Sequence, residues 1–164
     1  MNKTLAHTLH ELMTQQRVAA LGTLWNGLPY VTQVPFALSS AAGDLLIHVS
    51  RLAAHTQNLL RAPDVSLLVS EPDGPEKTPH ALPRVTLAGV AAALDPDDPD
   101  YASARQTYQQ RFPEATGLFE LGDFHLFTIE VTAARIVAGF AQAATLSGEE
   151  WAAAVLSPHR DPEA

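Results

Sequence analysis

Residues 47–60 read Ile-His-Val-Ser-Arg-Leu-Ala-Ala-His-Thr-Gln-Asn-Leu-Leu and hold the densest set of groups able to grip an anion. An apolar, β-branched run ends at Ser50, and helical character begins directly after it. The first turn of a helix has free backbone N–H groups and the positive end of the peptide dipole, which favour a negative ligand. Ser50 and Thr56 add hydroxyls, Arg51 a planar fork suited to phosphate, and His55 a donor that a bound anion would help to charge. Together they read as a phosphate cradle. The segment also reads as a plain junction, with Ser50 capping the helix, Arg51 exposed and His55 solvated. Spacing alone leaves both open.

Other chemistries lack their residues. The chain has no Cys, which removes disulfides, thiolate nucleophiles and Cys zinc sites, and points to a reducing, cytoplasmic setting. No G-x-G-x-x-G, Walker-type loop, G-x-S-x-G elbow or H-E-x-x-H occurs. The seven His residues are dispersed; His7 and His10 share one helical face at i and i+3, a spacing more often met on a solvated surface than at a metal. No metal site is expected. Carboxylates gather in loops and tails, the pattern of a solvated face.

The elements that must position the cradle follow from periodicity. Leu5, Leu9, Leu12 and Met13 predict an amphipathic helix over 4–16, capped by Asn2 or Thr4. Strands over 17–25 and 30–36 flank Asn26-Gly27, a strong hairpin signal, and Pro35 marks an edge or a strand end. A third strand, 45–50, completes a predicted three-stranded meander. A helix over 52–62 leads to strands 65–69 and 84–90, with Gly89 a bulge or a close backbone approach. A helix over 100–111, strands 123–131 and 135–140, and a helix over 147–156 with a Ser147/Glu150 capping box complete the reading. The predicted class is mainly β (α+β): a six- to seven-stranded antiparallel barrel, closed or nearly so, with peripheral helices.

The chain has 164 residues, which fits one domain, 1–164. Hydrophobic residues make up 46% and charged residues 17%, the balance of a folded protein. Much of the apolar content is Ala, and a core this light suits a dimer that shares buried surface. A net charge of -8 disfavours nucleic acid, whose binding rests on neutralised phosphates. No apolar run approaches the ~20 residues of a membrane span. The opening Met-Asn-Lys-Thr-Leu-Ala-His has no apolar h-region, so no secretory signal is expected.

The stretch S-x-L-A-x-H-T-x-N-L, residues 50–59, resembles the strand-to-helix segment of the pyridoxamine 5'-phosphate oxidase-like, FMN-binding split-barrel superfamily. It is most similar to the branch related to haem-utilisation split-barrel proteins. Ala20-Leu21-Gly22-Thr23 with Pro29–Phe36 resembles the family's first hairpin. Pro63–Val69 and Pro83–Gly89 resemble later strands, and Phe112-Pro113, Gly122-Asp123-Phe124 and Ala134–Phe140 its C-terminal half. The similarity runs in order over about residues 17–141.

The resemblance implies a split β-barrel homodimer with FMN in clefts between subunits, acting as an oxidoreductase on a small-molecule substrate. By position, Ser50, Arg51, His55 and Thr56 would hold the phosphate, and Asn58 would bond it or fix the helix. His55 stands where many relatives carry Lys. Gln33, Val34 and Pro35 would line the flavin ring, and Arg84 would reach FMN from the partner chain; as plain strand residues, Gln33 and Arg84 would simply face outward. Trp25 and Trp151 suit core or interface better than flavin stacking. The alternatives are a haem-binding or haem-degrading protein, with His159 as candidate axial ligand and His125 behind it, and a non-catalytic flavin-binding dimer.

Overall fold

The computed structural model describes residues 2–139 and 142–157. Helix α1 (Lys3–Gln15) begins where the Asn2 side chain accepts a hydrogen bond from Leu5 N–H, and it buries the four apolar residues that set its period. Strands β1 (Val18–Trp25) and β2 (Leu28–Pro35) pair in continuous antiparallel register around Asn26-Gly27. Both turn residues take positive φ, 51° and 79°, which matches the twist that a two-residue hairpin demands.

The chain continues through β3 (Ala37–Leu38), β4 (Leu45–Ser50), α2 (Ala54–Arg61), β5 (Asp64–Ser70), β6 (Arg84–Ala93), α3 (Tyr101–Arg111), a 3₁₀ segment (Pro113–Glu120), β7 (Phe124–Val137), β8 (Ala143–Ser147) and α4 (Gly148–Leu156). The eight strands form one antiparallel sheet in the order β2-β1-β5-β6-β7-β4-β3, with β8 pairing the C-terminal half of β7 on the edge opposite β6, beyond β4. This is a split barrel. Among the described residues no helix is long and apolar enough to cross a membrane.

Three features depart from the sequence reading. The meander does not form: β4 pairs with β7 and β3, not with β2. Phe36 N–H bonds Arg17 C=O, so by alternation positions 29, 31, 33 and 35 point their N–H side to the free edge of β2. Pro29 and Pro35 remove two of those donors, which suits an edge and not a central strand. Second, the two strands expected over 123–131 and 135–140 are one continuous β7, because Thr132-Ala133-Ala134 contains no turn residue. The end of the second prediction, at Phe140, lies outside the described residues. Third, β3 and β8 are additional; β3 is only two residues long, and the Ala-rich sequence of β8 carries little β signal.

The barrel interior is filled by alternate residues of β1, β5, β6 and β7, closed by α1 and by Trp151 of α4. Trp151 is buried and donates its indole N–H to Gly43 C=O at 2.8 Å. The Ser147/Glu150 capping box forms as expected. A second, smaller core of Ala37, Leu46, Tyr108, Phe112 and Leu126 lies outside the barrel, under α3. It explains why β4 is apolar on both faces: one faces the barrel, the other α3.

Candidate functional site

The β4–α2 junction is built around Asp123, just ahead of β7. Ser50 Oγ donates to Asp123 Oδ2 at 2.6 Å, and Arg51 N–H donates to Asp123 C=O at 2.6 Å. Leu52 N–H donates to Ser50 Oγ at 3.1 Å, and Ala53 N–H to Ser50 C=O at 3.1 Å. The helix therefore starts at Ala54, three residues later than a cap at Ser50 would place it. Its N-cap is Ala53, with no side-chain cap.

The predicted cradle residues occupy this junction with different roles. Thr56 has no exposed surface and donates its hydroxyl to Ser50 C=O at 2.7 Å. Asn58, 2% exposed, donates to Thr23 Oγ1 at 3.0 Å, which ties α2 to β1. Gln57 Nε2 donates to Arg51 C=O at 2.7 Å. Thr56 and Asn58 thus present nothing outward: Thr56 is turned back under the end of β4 and Asn58 against β1. Arg51 is exposed, and His55 is half-buried with Nδ1 3.2 Å from Thr32 Oγ1. Burial lowers the His55 pKa from its ordinary value, so the ring is neutral near pH 7 without a ligand.

Gln33, Pro35 and Arg84 lie elsewhere. Strand alternation puts Gln33 and Pro35 on the outward face of β2, while Val34 points into the barrel core. Arg84 pairs with Ser70 on the same outward face and donates to Leu82 C=O at 2.9 Å. Thr23 and Thr32, which anchor α2, belong to the inward set. The structure thus separates the predicted residues into two groups on opposite faces of the β1–β2 hairpin. A ligand touching both would pass over the free edge of β2.

The outward face holds a groove of about 400 Å³ lined by Val18, Ala20, Val31, Gln33, Leu68 and Ser70, among others. Val18, Leu24, Val31, Leu68 and Val90 all point outward on this sheet face and are exposed, Val31 by 66%.

Beside the junction stands a group that the sequence reading did not single out. His48 is buried in the outer core, stacked on Phe119 with ring centroids 3.8 Å apart and planes 7° from parallel. Tyr108 meets it edge-on at 5.7 Å, and Phe124 lies at 5.3 Å. Its Nδ1 has no hydrogen-bond partner among the described residues. Burial first, then the nearby His125 and Arg105, pulls its pKa down to about 4. Burial also pushes the Tyr108 phenol up to about 12. A His inside an apolar strand gave no periodic signal that could have found it.

His125 Nε2 is likewise buried without a partner among the described residues. Opposite Val49 in the ladder, His125 stands on the barrel side of β7. His159 lies outside the described residues. His7 pairs with Glu11 at 3.4 Å. Among the described residues no three His, Asp or Glu side chains are placed to hold a metal ion.

Strand order and register define a protein of the split-barrel class. A family model described as CREG, β-barrel matches residues 2–153, and the chain belongs to that family. It is 36% identical over 138 residues to the chloroplastic non-canonical haem oxygenase HOZ of Arabidopsis thaliana, covering 82% of this chain and 40% of that one. It is 30% identical over 144 residues to the haem oxygenase HutZ of Vibrio cholerae, covering 87% of this chain and 81% of that one. The structure of a haem binding protein from Mycobacterium smegmatis superposes with a TM-score of 0.82 at 29% identity, covering 93% of this chain and 62% of that one. The chain spans well under half the length of the Arabidopsis relative. A putative pyridoxamine 5'-phosphate oxidase from Listeria innocua, at 16% identity and a TM-score of 0.60 over 82% of this chain and 99% of that one, shares the fold alone.

Proposed function

We propose that this protein binds haem as its substrate on the outward face of the sheet, between two copies of the chain, and degrades it. The observation that carries the reading is the similarity to HOZ and HutZ, both named haem oxygenases. The flavin reading rests on likeness of fold, which many unrelated activities share.

The residues of the outward face fit such a ligand. Val18, Val31 and Leu68 give an apolar floor for a porphyrin plane, and Gln33 and Arg84 share that face as partners for its carboxylates. Arg51 is a further exposed cation, at the β4–α2 junction. His55 and Asn58 hold α2 against the hairpin, and Thr56 ties α2 back to Ser50, which together fix where Arg51 emerges. If haem binds, His159, which lies outside the described residues, would be the residue to hold its iron. His125 is the weaker candidate, since its ring is on the barrel side of β7, away from the outward face. Haem supplies the iron at which dioxygen reacts; the chain's part is to bind it, orient it and keep bulk water from it.

The test is a haemin titration of the purified protein, with FMN in parallel. A sharp Soret band is expected, lost or strongly shifted in His159→Ala, and bleached when a reductant is added in air. Flavin retained through gel filtration, with no Soret band, would overturn the haem reading.

A further inference from the structure

The β4–α2 junction has the outline of an anion cradle, yet its hydroxyl and amide side chains are already engaged within the chain itself. Ser50 Oγ donates to Asp123, Thr56 Oγ1 to Ser50 C=O, Asn58 Nδ2 to Thr23 and Gln57 Nε2 to Arg51 C=O. The backbone N–H groups of Arg51, Leu52 and Ala53 are occupied as well, two of them by Asp123 C=O and Ser50 Oγ. His55 is neutral near pH 7, because burial lowers its pKa. Arg51 alone is left as a charged donor facing out, and the Asp123 carboxylate lies at hydrogen-bond distance from the hydroxyl that a phosphate would need.

From this geometry we infer that Asp123 is a specificity determinant that closes the junction to phosphate dianions, so that the protein does not select ligands by a terminal phosphomonoester. A dianion seated here would meet a carboxylate at close range and would find the Ser50 hydroxyl already committed. A carboxylate ligand needs only the outward guanidinium. The inference stands on the junction's own hydrogen bonds and not on the haem reading.

The experiment compares FMN with riboflavin, which differ by the phosphate, on the full chain and on Asp123→Asn. The amide keeps an acceptor for Ser50 Oγ, removes the charge and adds a donor. The unaltered protein is expected to bind FMN no more tightly than riboflavin. Asp123→Asn is expected to bind FMN at least tenfold more tightly, with riboflavin unchanged. No gain, or a gain shared by riboflavin, overturns the inference. Should the variant fail to fold by circular dichroism, the unaltered protein decides: a tenfold preference for FMN overturns the inference, and its absence supports it. Haemin titration of the same samples reports on the haem reading separately, since its failure leaves the two flavins' ratio untouched.

Discussion

At the scale of single residues, the sequence shows which types are present and not which way they turn. The exposure of Arg51 was legible in the sequence, whereas the turn of His55 towards Thr32 and the capture of Ser50 by Asp123, 73 residues away, were not. Thr56 and Asn58 looked like ligand contacts because their chemistry fits an anion, yet both are buried and hold the helix in place. His48 brings a pH dependence. Its folded pKa of about 4 lies below the ordinary value of 6.5, so the unfolded chain takes the proton more readily. Stability from this group is complete above pH 6.5 and is lost as pH falls from there towards 4. His55, lowered by burial, acts in the same direction. In His48→Phe the stack on Phe119 is kept and the titration removed. Its melting temperature should drop less between pH 7 and 4.5 than that of the parent. An equal drop in both proteins would show that His48 is not the group responsible.

At the scale of elements, periodicity and turn chemistry located α1, the β1–β2 hairpin, β4, β5, β6, α3 and α4 to within a few residues. What they did not show was pairing. The position of Gly89 illustrates the difference: a Gly inside a strand suggested a bulge, and the register of β6 against β7 shifts there. A Cβ at Gly89 would lie 2.5 Å from Glu130 O and 2.9 Å from Ile129 Cγ2. The first of these is backbone and cannot rotate away. Gly89→Ala is expected to cost about 2 kcal/mol, in the range of an overpacked core. For a chain of this size that lowers the melting temperature by about 4–8 °C, measurable by calorimetry. A shift under 2 °C would mean that β7 yields at the bulge.

At the scale of the whole molecule, the outward sheet face is the feature to explain. Val18, Leu24, Val31, Leu68 and Val90 are exposed on one face of the sheet, and apolar surface gathered on one face is the pattern of an interaction site. If two copies meet there, as proposed, a charge placed in the middle should separate them. Val31→Glu combined with Leu68→Glu should shift sedimentation from dimer to monomer while circular dichroism stays unchanged, and haemin affinity should fall with it. Persistence of the dimer in this variant would place self-association on another surface.

Local chemistry made much of this protein readable from its sequence alone: the mostly β composition, the hairpin turn, the caps of α1 and α4, the bulge and the segment that forms the junction. These features depend on neighbours a few residues apart, and the chain carries them in its period and its turn residues. Other features arise only when distant segments meet. β4 leaves the first hairpin to pair with β7, β7 runs unbroken, Asp123 captures Ser50, and the hairpin divides the predicted site between its two faces. In each case the partner is supplied by packing, and alternation along a strand tells which residues share a face without telling which face the fold will bury.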